Sequence, residues 1–299
     1  MFGLIERNQF SQALFLWTQA LHEASGGKLI AIDGKTLRGS LSKKTGLAAL
    51  HLVTAWASEN GLTLGQVACE EGSNEIVAIP HLLETLGLKG CTVTIDAVGC
   101  QKEIAERIRD KQANYVLALK GNQTGLQEEM KQLYANAIDT DFANMQHETH
   151  QVRETSHGRT TDRTCEVLGI PRDHPQRTAW RDLRTLAIVT TQRISNGNET
   201  WETRYFISSH APRARCLAKA IRRHWSIENS QHWVLDVCFN EDQSRQHDRN
   251  AAANLAAVRR LAISVLRREK TNKRGAKNKR LQCALDPNYL VNVLRTAEI

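Results

Sequence analysis

Apolar and polar positions change their period along the chain, and each change predicts a different element. Apolar residues recur every three or four positions over residues 10–24, which predicts an amphipathic helix. Residues 29–33 are apolar up to a final aspartate and predict a short buried strand that ends on a carboxylate. The β-prone runs 49–57 and 62–68 are joined by the turn signal at 59–61. We therefore expect the first three strands to form an antiparallel meander.

From residue 75 onward, strand-like and helical patterns alternate. Helical spacing at 75–86, 101–111 and 126–138 separates strand-like runs at 91–96 and 115–119. This alternation predicts right-handed crossovers and parallel pairing of the later strands. Three meander strands followed by two βα units predict an α/β fold with a ribonuclease-H-like core, built on a mixed sheet.

The segment 141–210 interrupts this rhythm. Ser195-Asn196-Gly197-Asn198 separates two β-prone runs and predicts a hairpin. We interpret the segment as a β-rich insertion that precedes a helix containing Glu228, with a further long helix over 250–268. The predicted organisation is an N-terminal helix (1–27), a discontinuous core (28–140 and 211–270), the insertion (141–210) and a basic C-terminal tail (271–299).

The helix around Glu228 has an unusual face. Continued from residue 214 to about 238, it would carry on one side Ile221, His224, Trp225, Glu228, His232 and Leu235. Burying a glutamate among apolar groups is costly unless it is paired. A metal ion or a reacting group would justify it, and so would an ordinary pairing with Arg222 or His232. Plain core packing is the expected role of Trp225 and Trp233.

Composition adds charge to this picture. The net charge of +8 and the pI near 9.2 suit a polyanionic partner. Residues 267–280 hold eight basic side chains against Glu269, which indicates either phosphate contacts or a solvated tail. Neither a membrane-spanning run nor a signal-peptide pattern is found, and the seven cysteines form no CxxC pair. We expect a cytoplasmic protein of bacterial type, without a membrane partner.

Two predicted strands end on aspartates, Asp33 and Asp96. If these strands are neighbours, their carboxylates repel each other unless a cation neutralises them. Mg²⁺ (or Mn²⁺) suits such oxygen ligands, and Glu228 is available as the third carboxylate. Taken singly, either aspartate is equally explained as a turn or N-cap residue, as Asp33 before Gly34 would be. Three carboxylates around two ions about 4 Å apart would favour phosphodiester chemistry.

Several stretches together resemble the motifs of DDE insertion-sequence transposases, most closely the H-repeat-associated subgroup. They are AIDGKTLRGS (31–40), TIDAVGCQKEIA (94–105), VLALKGNQ (116–123), HWSIENSQHWVLDVCFNEDQSR (224–245) and NAAANLAAVRRLAISVLR (250–267). The resemblance implies a ribonuclease-H-like catalytic domain with a β-rich insertion, a divalent metal and double-stranded DNA as substrate. Asp33, Asp96 and Glu228 fall on the DDE positions, as catalytic and metal-binding residues.

By the same resemblance, the protein would cut element ends and join them to target DNA, assembled as a homodimer on the DNA. Two departures from the family's pattern stand out. Ile221, His224 and Leu235 occupy places where the wider superfamily often has Tyr, Arg and Lys. Only about thirty residues precede Asp33, where the subgroup usually has a helical domain. We therefore expect a copy shortened at its N-terminus.

Further residues receive roles around this centre. The predicted DNA contacts are Lys35, Arg38, Lys120, Arg159, Arg222 and Arg223, with surface solubility as the alternative for the first three. The residues expected to orient Glu228, or to stack on a displaced base, are His224, Trp225, Asn229 and His232. Two other functions remain open. One is a metal-dependent nuclease in which His224, Glu228 and His232 bind zinc; the other is a non-catalytic DNA-binding remnant.

Overall fold

The computed structural model describes residues 1–156 and 158–296, except for the side chains of residues 24 and 25. This part of the chain contains nine strands and ten α-helices. The strands are β1 (Leu29–Leu37), β2 (Leu50–Ala57), β3 (Leu62–Ala68), β4 (Thr92–Ile95), β5 (Asn114–Leu119), β6 (His147–Ser156), β7 (Arg159–Gly169), β8 (Thr185–Ser195) and β9 (Asn198–Ser208). The helices are α1 (Arg7–Ser25), α2 (Glu75–Thr85), α3 (Lys102–Asp110), α4 (Thr124–Asp139), α5 (Pro175–Ala179), α6 (Ala214–His224), α7 (Trp233–Phe239), α8 (Arg249–Arg268), α9 (Ala276–Leu285) and α10 (Pro287–Arg295).

These elements are divided between two compact units. The first joins Met1–Gly87 to Trp225–Ile299, and the second is Leu88–His224. Strand pairing is mostly antiparallel in both units, with helices beside the strands, so the fold is mixed α/β. In the described part of the chain, none of the helices has the length and apolar character needed to cross a membrane.

In the first unit, β1, β2 and β3 form an antiparallel meander, as the sequence predicted. Helix α8 packs on it through Ala252, Ala253 and Ala256, which contact the buried side chains of Leu37 and Leu52. Short alanine side chains allow a helix to approach a sheet closely and still exclude water. This arrangement provides a rigid support for the strand that contains Asp33.

The first strand is longer than its apolar run. Its ladder with β2 continues through Leu37, which lies opposite Leu50, so Asp33 is in mid-strand opposite Thr54. The prediction that β1 ends on this aspartate was therefore wrong. Backbone hydrogen bonds form the ladder, and they continue wherever the partner strand offers its own backbone groups, whatever the side chains are.

In the second unit, β4 and β5 pair in parallel, as expected from the strand-helix alternation. β5 then pairs antiparallel with β9, and β8, β7 and β6 follow in that order. The predicted hairpin joins β8 to β9 through a two-residue turn in which Asn196 and Gly197 have φ of 50° and 77°. Positive φ at both positions matches the type I′ turn that suits the twist of a hairpin.

The predicted continuous helix through residue 238 is interrupted. Helix α6 ends at His224, Trp225 is in a turn, and Glu228–His232 form a π-helical segment before α7. The N–H of Trp233 donates to the carbonyl of Glu228, five residues earlier. A π segment accommodates an extra residue per turn and is common at functional sites. Regular helical spacing therefore does not place His224 and His232 on one face.

The segment predicted as a basic tail folds into α9 and α10 in its described part, which excludes residues 297–299. Tyr289 and Val293 of α10 pack against Val265 and Leu266 of α8. The C-terminal helices are thereby attached to the same helix that supports the meander.

Candidate metal centre

Three side chains in the first unit bring potential metal ligands together. His232 Nδ1 lies 3.2 Å from Glu228 Oε2 and 3.6 Å from Asp33 Oδ2. One ligand atom from each of the three residues falls within 4.8 Å of the other two. The structure thus unites Asp33 and Glu228, which are 195 positions apart in the chain, and adds His232 to them.

Neighbouring contacts hold the π segment in place. Ile227 is buried against Ala31 and Trp56 of the meander. Buried Gln231 donates from Nε2 to Thr63 Oγ1 at 2.6 Å. With residues 227 and 231 fixed on the sheet, Glu228 and His232 are directed to the strand that contains Asp33.

Arg267 of α8 secures the same segment from another direction. Its guanidinium donates to the carbonyl oxygen of Ser230 at 2.5 Å and lies 5.2 Å from the centre of the Trp56 ring. Carbonyl oxygens in a π segment do not have the regular hydrogen-bond partners of an α-helix. A hydrogen bond from a charged guanidinium to such an oxygen is stronger than one from a neutral donor. Burial lowers the pKa of Arg267 from its usual value, but a guanidinium stays charged in proteins.

The three side chains form a gradient of exposure. The side chain of His232 is 5% exposed, that of Asp33 is 23% exposed and that of Glu228 is 57% exposed. The centre is therefore anchored in the protein at the imidazole and open to solvent at Glu228. The Glu228 carboxylate is therefore accessible to a cation in solvent.

The donor set fits a divalent ion. Ligands at about 2.1 Å from an octahedral ion are separated by about 3.0 Å along an edge of the octahedron. The 3.2 Å and 3.6 Å separations at His232 are close to that spacing. Carboxylate oxygens suit Mg²⁺ and Mn²⁺, whereas imidazole nitrogen suits transition metals such as Zn²⁺. Two carboxylates this close also repel each other, which a cation relieves.

Asp96 and His224 belong to the second unit. Asp96 directly follows β4, as the sequence predicted, and its Oδ1 accepts a hydrogen bond from the Val98 N–H at 3.1 Å. His224 Nδ1 lies 3.0 Å from Thr94 Oγ1. Burial lowers the pKa of His224 to about 4, so this imidazole is neutral at pH 7.

The tryptophans beside Glu228 are exposed. Trp225 retains 43% and Trp233 59% of its accessible surface, so the expectation that both pack in the core was wrong. Exposed Asn229 donates from Nδ2 to the carbonyl of Trp225 at 3.1 Å, one turn earlier.

Five of the predicted DNA contacts lie at the surface or close to it. Arg38 is 82% exposed, Lys120 and Arg159 are exposed, and Arg223 is half-buried. Arg222 is exposed and donates to Glu154 at 3.2 Å within the second unit. Exposure leaves these side chains accessible to a phosphate, since surface ion pairs are weak.

Lys35 differs from these residues. Its side chain is 9% exposed, and its ammonium lies 2.8 Å from Asp236 Oδ2 and 3.5 Å from Asp242 Oδ1. Neither aspartate was predicted from the sequence to take part in the site. A signal was present, because Glu228, His232 and Asp236 follow one another at intervals of four.

Comparison with known proteins identifies the family of this chain. A profile of the family described as "Transposase DDE domain" matches residues 24–265, most of the chain, so the chain belongs to the transposase DDE domain family. The resemblance inferred from the motifs is thereby confirmed.

Individual relatives extend over nearly the whole chain. "Putative transposase YncI" of Escherichia coli O157:H7 is 42% identical over 294 residues, which are 97% of this chain and 75% of that protein. "H repeat-associated putative transposase YhhI" of Escherichia coli (strain K12) is 36% identical over 291 residues, 96% of this chain and 76% of that protein.

Proposed function

We propose that this chain is a DNA transposase that cuts element ends and joins them to target DNA by phosphodiester hydrolysis and transesterification. The observation that carries the proposal is the convergence of Asp33, Glu228 and His232 within 4.8 Å in a chain of the transposase DDE domain family. Mg²⁺ or Mn²⁺ is the proposed cofactor, because the side chains assigned to hold it, Asp33 and Glu228, are carboxylates. When bound, such ions would activate the attacking water or 3′-hydroxyl and would stabilise the leaving 3′-oxygen.

The roles of the residues follow from their positions. Asp33 and Glu228 would hold the metal, with Glu228 facing the solvent from which DNA arrives. His232, nearly buried, would fix the Glu228 carboxylate through its 3.2 Å contact. Asp96 is proposed as the remaining carboxylate because it falls on the second position of the motif and directly follows a strand.

The finer architecture is also part of the proposal. The meander, followed by the parallel pair β4 and β5, supports a ribonuclease-H-like core over 28–140 and 211–270. The antiparallel strands β6 to β9 support a β-rich insertion at 141–210. Residues 1–27 and 271–299 would flank this core.

Double-stranded DNA is the proposed partner, bound chiefly through phosphates. The candidate contacts are the accessible side chains of Arg38, Lys120, Arg159, Arg222 and Arg223. The formal charge of +8 favours such contacts, which contribute affinity without selecting a sequence. We infer that two copies assemble when both element ends are bound.

A metal-dependent nuclease is the second candidate function, and His232 favours it. An imidazole within ligand distance of two carboxylates also suits Zn²⁺. Such an enzyme would cut DNA with Zn²⁺ but would not join the cut ends to a target.

The test is a nicking and strand-transfer assay on DNA that contains the regions flanking the coding sequence. We expect nicking and joining with Mg²⁺ or Mn²⁺ and neither with EDTA. Asp33→Asn and Glu228→Gln should each lower nicking by about a thousandfold or more, and the double variant should lose little further, because both groups serve the same ions. Duplex binding should persist in all three variants.

Other results point elsewhere. Cleavage with Zn²⁺ alone and without joining would support the nuclease. Duplex binding without cleavage under any of these ions would identify a non-catalytic DNA-binding protein. Exposed Glu103, which pairs with Arg107 on α3, offers a control, since Glu103→Gln should leave nicking unchanged.

A further inference from the structure

The buried ammonium of Lys35 lies between two carboxylates of a distant segment. Asp236 is on α7, and Asp242 is in the short turn that follows it. The Oδ1 atoms of both aspartates are buried and accept no hydrogen bond from the residues that the structure describes. Buried carboxylate oxygens without such bonds need a nearby positive charge, which Lys35 provides.

This ion pair lies next to the metal centre on both elements. Asp33 and Lys35 are two residues apart on β1, so their side chains lie on the same face of the strand. His232 and Asp236 are four residues apart and lie on the same side of their helix. Two contacts therefore run side by side between strand and helix: Asp33 with His232 at 3.6 Å, and Lys35 with Asp236 at 2.8 Å.

A third contact extends this row. Arg38 Nε lies 3.5 Å from Asp242 Oδ2, just beyond the end of β1. The next residue, Gly39, allows the backbones to approach, since a Cβ there would lie 2.5 Å from the Ser244 carbonyl oxygen and 2.8 Å from that of Asp242. Backbone atoms cannot move aside cheaply, so the approach requires glycine.

We propose that Lys35 is a positioning residue of the metal centre. Its ion pairs with Asp236 and Asp242 fix the register of α7 against β1, and thereby fix the distance between Asp33 on one element and Glu228 and His232 on the other. The inference rests on the proposed function of that centre. It gives Lys35 a role inside the protein in place of the phosphate contact that the sequence suggested.

A test must separate position from charge. Removing Lys35 alone would leave two uncompensated carboxylates, whose field attracts a cation and would hide a loss of geometry. The double variant Lys35→Met with Asp236→Asn removes one positive and one negative charge, so the net charge near the centre is unchanged. The ion pair is lost in this variant while the electrostatic background is largely kept.

The chain contains a matched control pair. Lys279 is also 9% exposed, and its ammonium lies 3.1 Å from the carboxylate of buried Glu269 in the same unit. Neither residue contacts Asp33, Glu228 or His232 through a described hydrogen bond or ion pair. Lys279→Met with Glu269→Gln therefore removes one positive and one negative charge away from the centre, at a carboxylate that is more buried than Asp236.

The measurement is the dissociation constant of Mn²⁺, followed by the electron paramagnetic resonance signal of the free ion. We expect Lys35→Met with Asp236→Asn to weaken Mn²⁺ binding about tenfold, the size of effect seen when groups that orient ligands are lost. The control pair should leave the constant unchanged. The swapped variant, Lys35→Asp with Asp236→Lys, restores an ion pair and should recover most of the affinity.

Binding of duplex DNA at several salt concentrations provides a second readout. If Lys35 acts inside the protein, the salt slope stays unchanged in the double variant, whereas a lost phosphate contact would lower it by about 0.9. Circular dichroism checks folding, and if the double variant unfolds, the swapped variant takes its place. A swapped variant that folds but binds Mn²⁺ about tenfold more weakly than wild type, with a lowered salt slope, would overturn the proposal.

Failure of this inference differs from failure of the proposed function. Mn²⁺ affinity equal in wild type and the double variant, but lost in Asp33→Asn, would refute the role of Lys35 and leave the metal centre intact. Absence of Mn²⁺ binding in the wild type would refute both.

Discussion

Two charged clusters in the same unit are built in opposite ways. The metal centre joins Asp33, Glu228 and His232 and opens to solvent at Glu228. The other cluster surrounds Glu269, which is 2% exposed. Its carboxylate accepts hydrogen bonds from Thr271, the Asn272 N–H and the Tyr289 hydroxyl, and it also pairs with Lys279.

The difference separates a structural cluster from a candidate binding site. Burial alone would raise the pKa of Glu269, yet its hydrogen bonds from Thr271, Tyr289 and Asn272 hold the pKa at about 2. That carboxylate has its acceptor capacity filled by the protein and joins the end of α8 to α9 and α10. At the metal centre, two carboxylates meet a single imidazole, and the exposed Glu228 carboxylate is available to bind a cation.

The largest effects are expected when the same substitution, glutamate to glutamine, is made once in each cluster. Glu228→Gln should weaken Mn²⁺ binding by at least about a hundredfold and change the free energy of unfolding by less than about 0.5 kcal/mol. Glu269→Gln should do the reverse, with unchanged Mn²⁺ binding and a loss of about 3 kcal/mol of stability from a broken buried pair.

Both variants are measured by Mn²⁺ titration and by urea unfolding. If Glu269→Gln weakened Mn²⁺ binding while unfolding was unaffected, the division between a structural and a binding cluster would be wrong. Glu71→Gln, at an exposed position of the same unit, is a control for both measurements.

The next effect concerns pH and only one of the two clusters. The folded pKa of Glu269 lies below its ordinary value of 4.5, so its contribution to stability is complete above about pH 4.5 and is lost as pH falls towards 2. The contribution amounts to about 3 kcal/mol, from 1.36 kcal/mol per pKa unit. Urea unfolding from pH 6 to pH 2.5 should show this loss in wild type and a shallower one in Glu269→Gln. Parallel curves would mean that Glu269 is not held as a carboxylate.

The smallest effect distinguishes buried from exposed charges within residues 267–280. Lys279 is buried in the structural cluster and paired with Glu269, whereas Lys273 and Lys277 are exposed. If the exposed pair meets DNA phosphates, Lys273→Gln with Lys277→Gln should lower the salt slope of duplex binding by about 1.8, since each contact contributes about 0.9. Lys89→Gln with Lys102→Gln, also exposed, is the control. An unchanged slope would make this segment a solvated surface.

Much of the fold was predictable because its signals are local. The meander, the parallel pair β4 and β5, the long helices and the β8–β9 hairpin each follow from periodicity and turn residues within a few positions. Family motifs also directed attention to Asp33 and Glu228, which the structure places together.

Other features were beyond local pattern. The end of β1 was misplaced because its ladder depends on the backbone of β2, not on its own side chains. The π segment at Glu228–His232 was missed because regular helical spacing was assumed. The exposure of Trp225 and Trp233 was also missed. These errors arise where a partner element, rather than intrinsic propensity, decides the backbone.

The sequence by itself determined which residue types are available for chemistry and the elements that contain them. Tertiary structure alone decided which of the charges are used inside the protein. Lys35 forms an ion pair with Asp236, 201 positions away in the sequence, and Lys279 forms one with Glu269, ten positions away. Nothing in either local sequence separates these lysines from exposed ones such as Lys120. Burial and ion pairing depend on which surfaces meet when the chain folds, and that is a property of the packed structure.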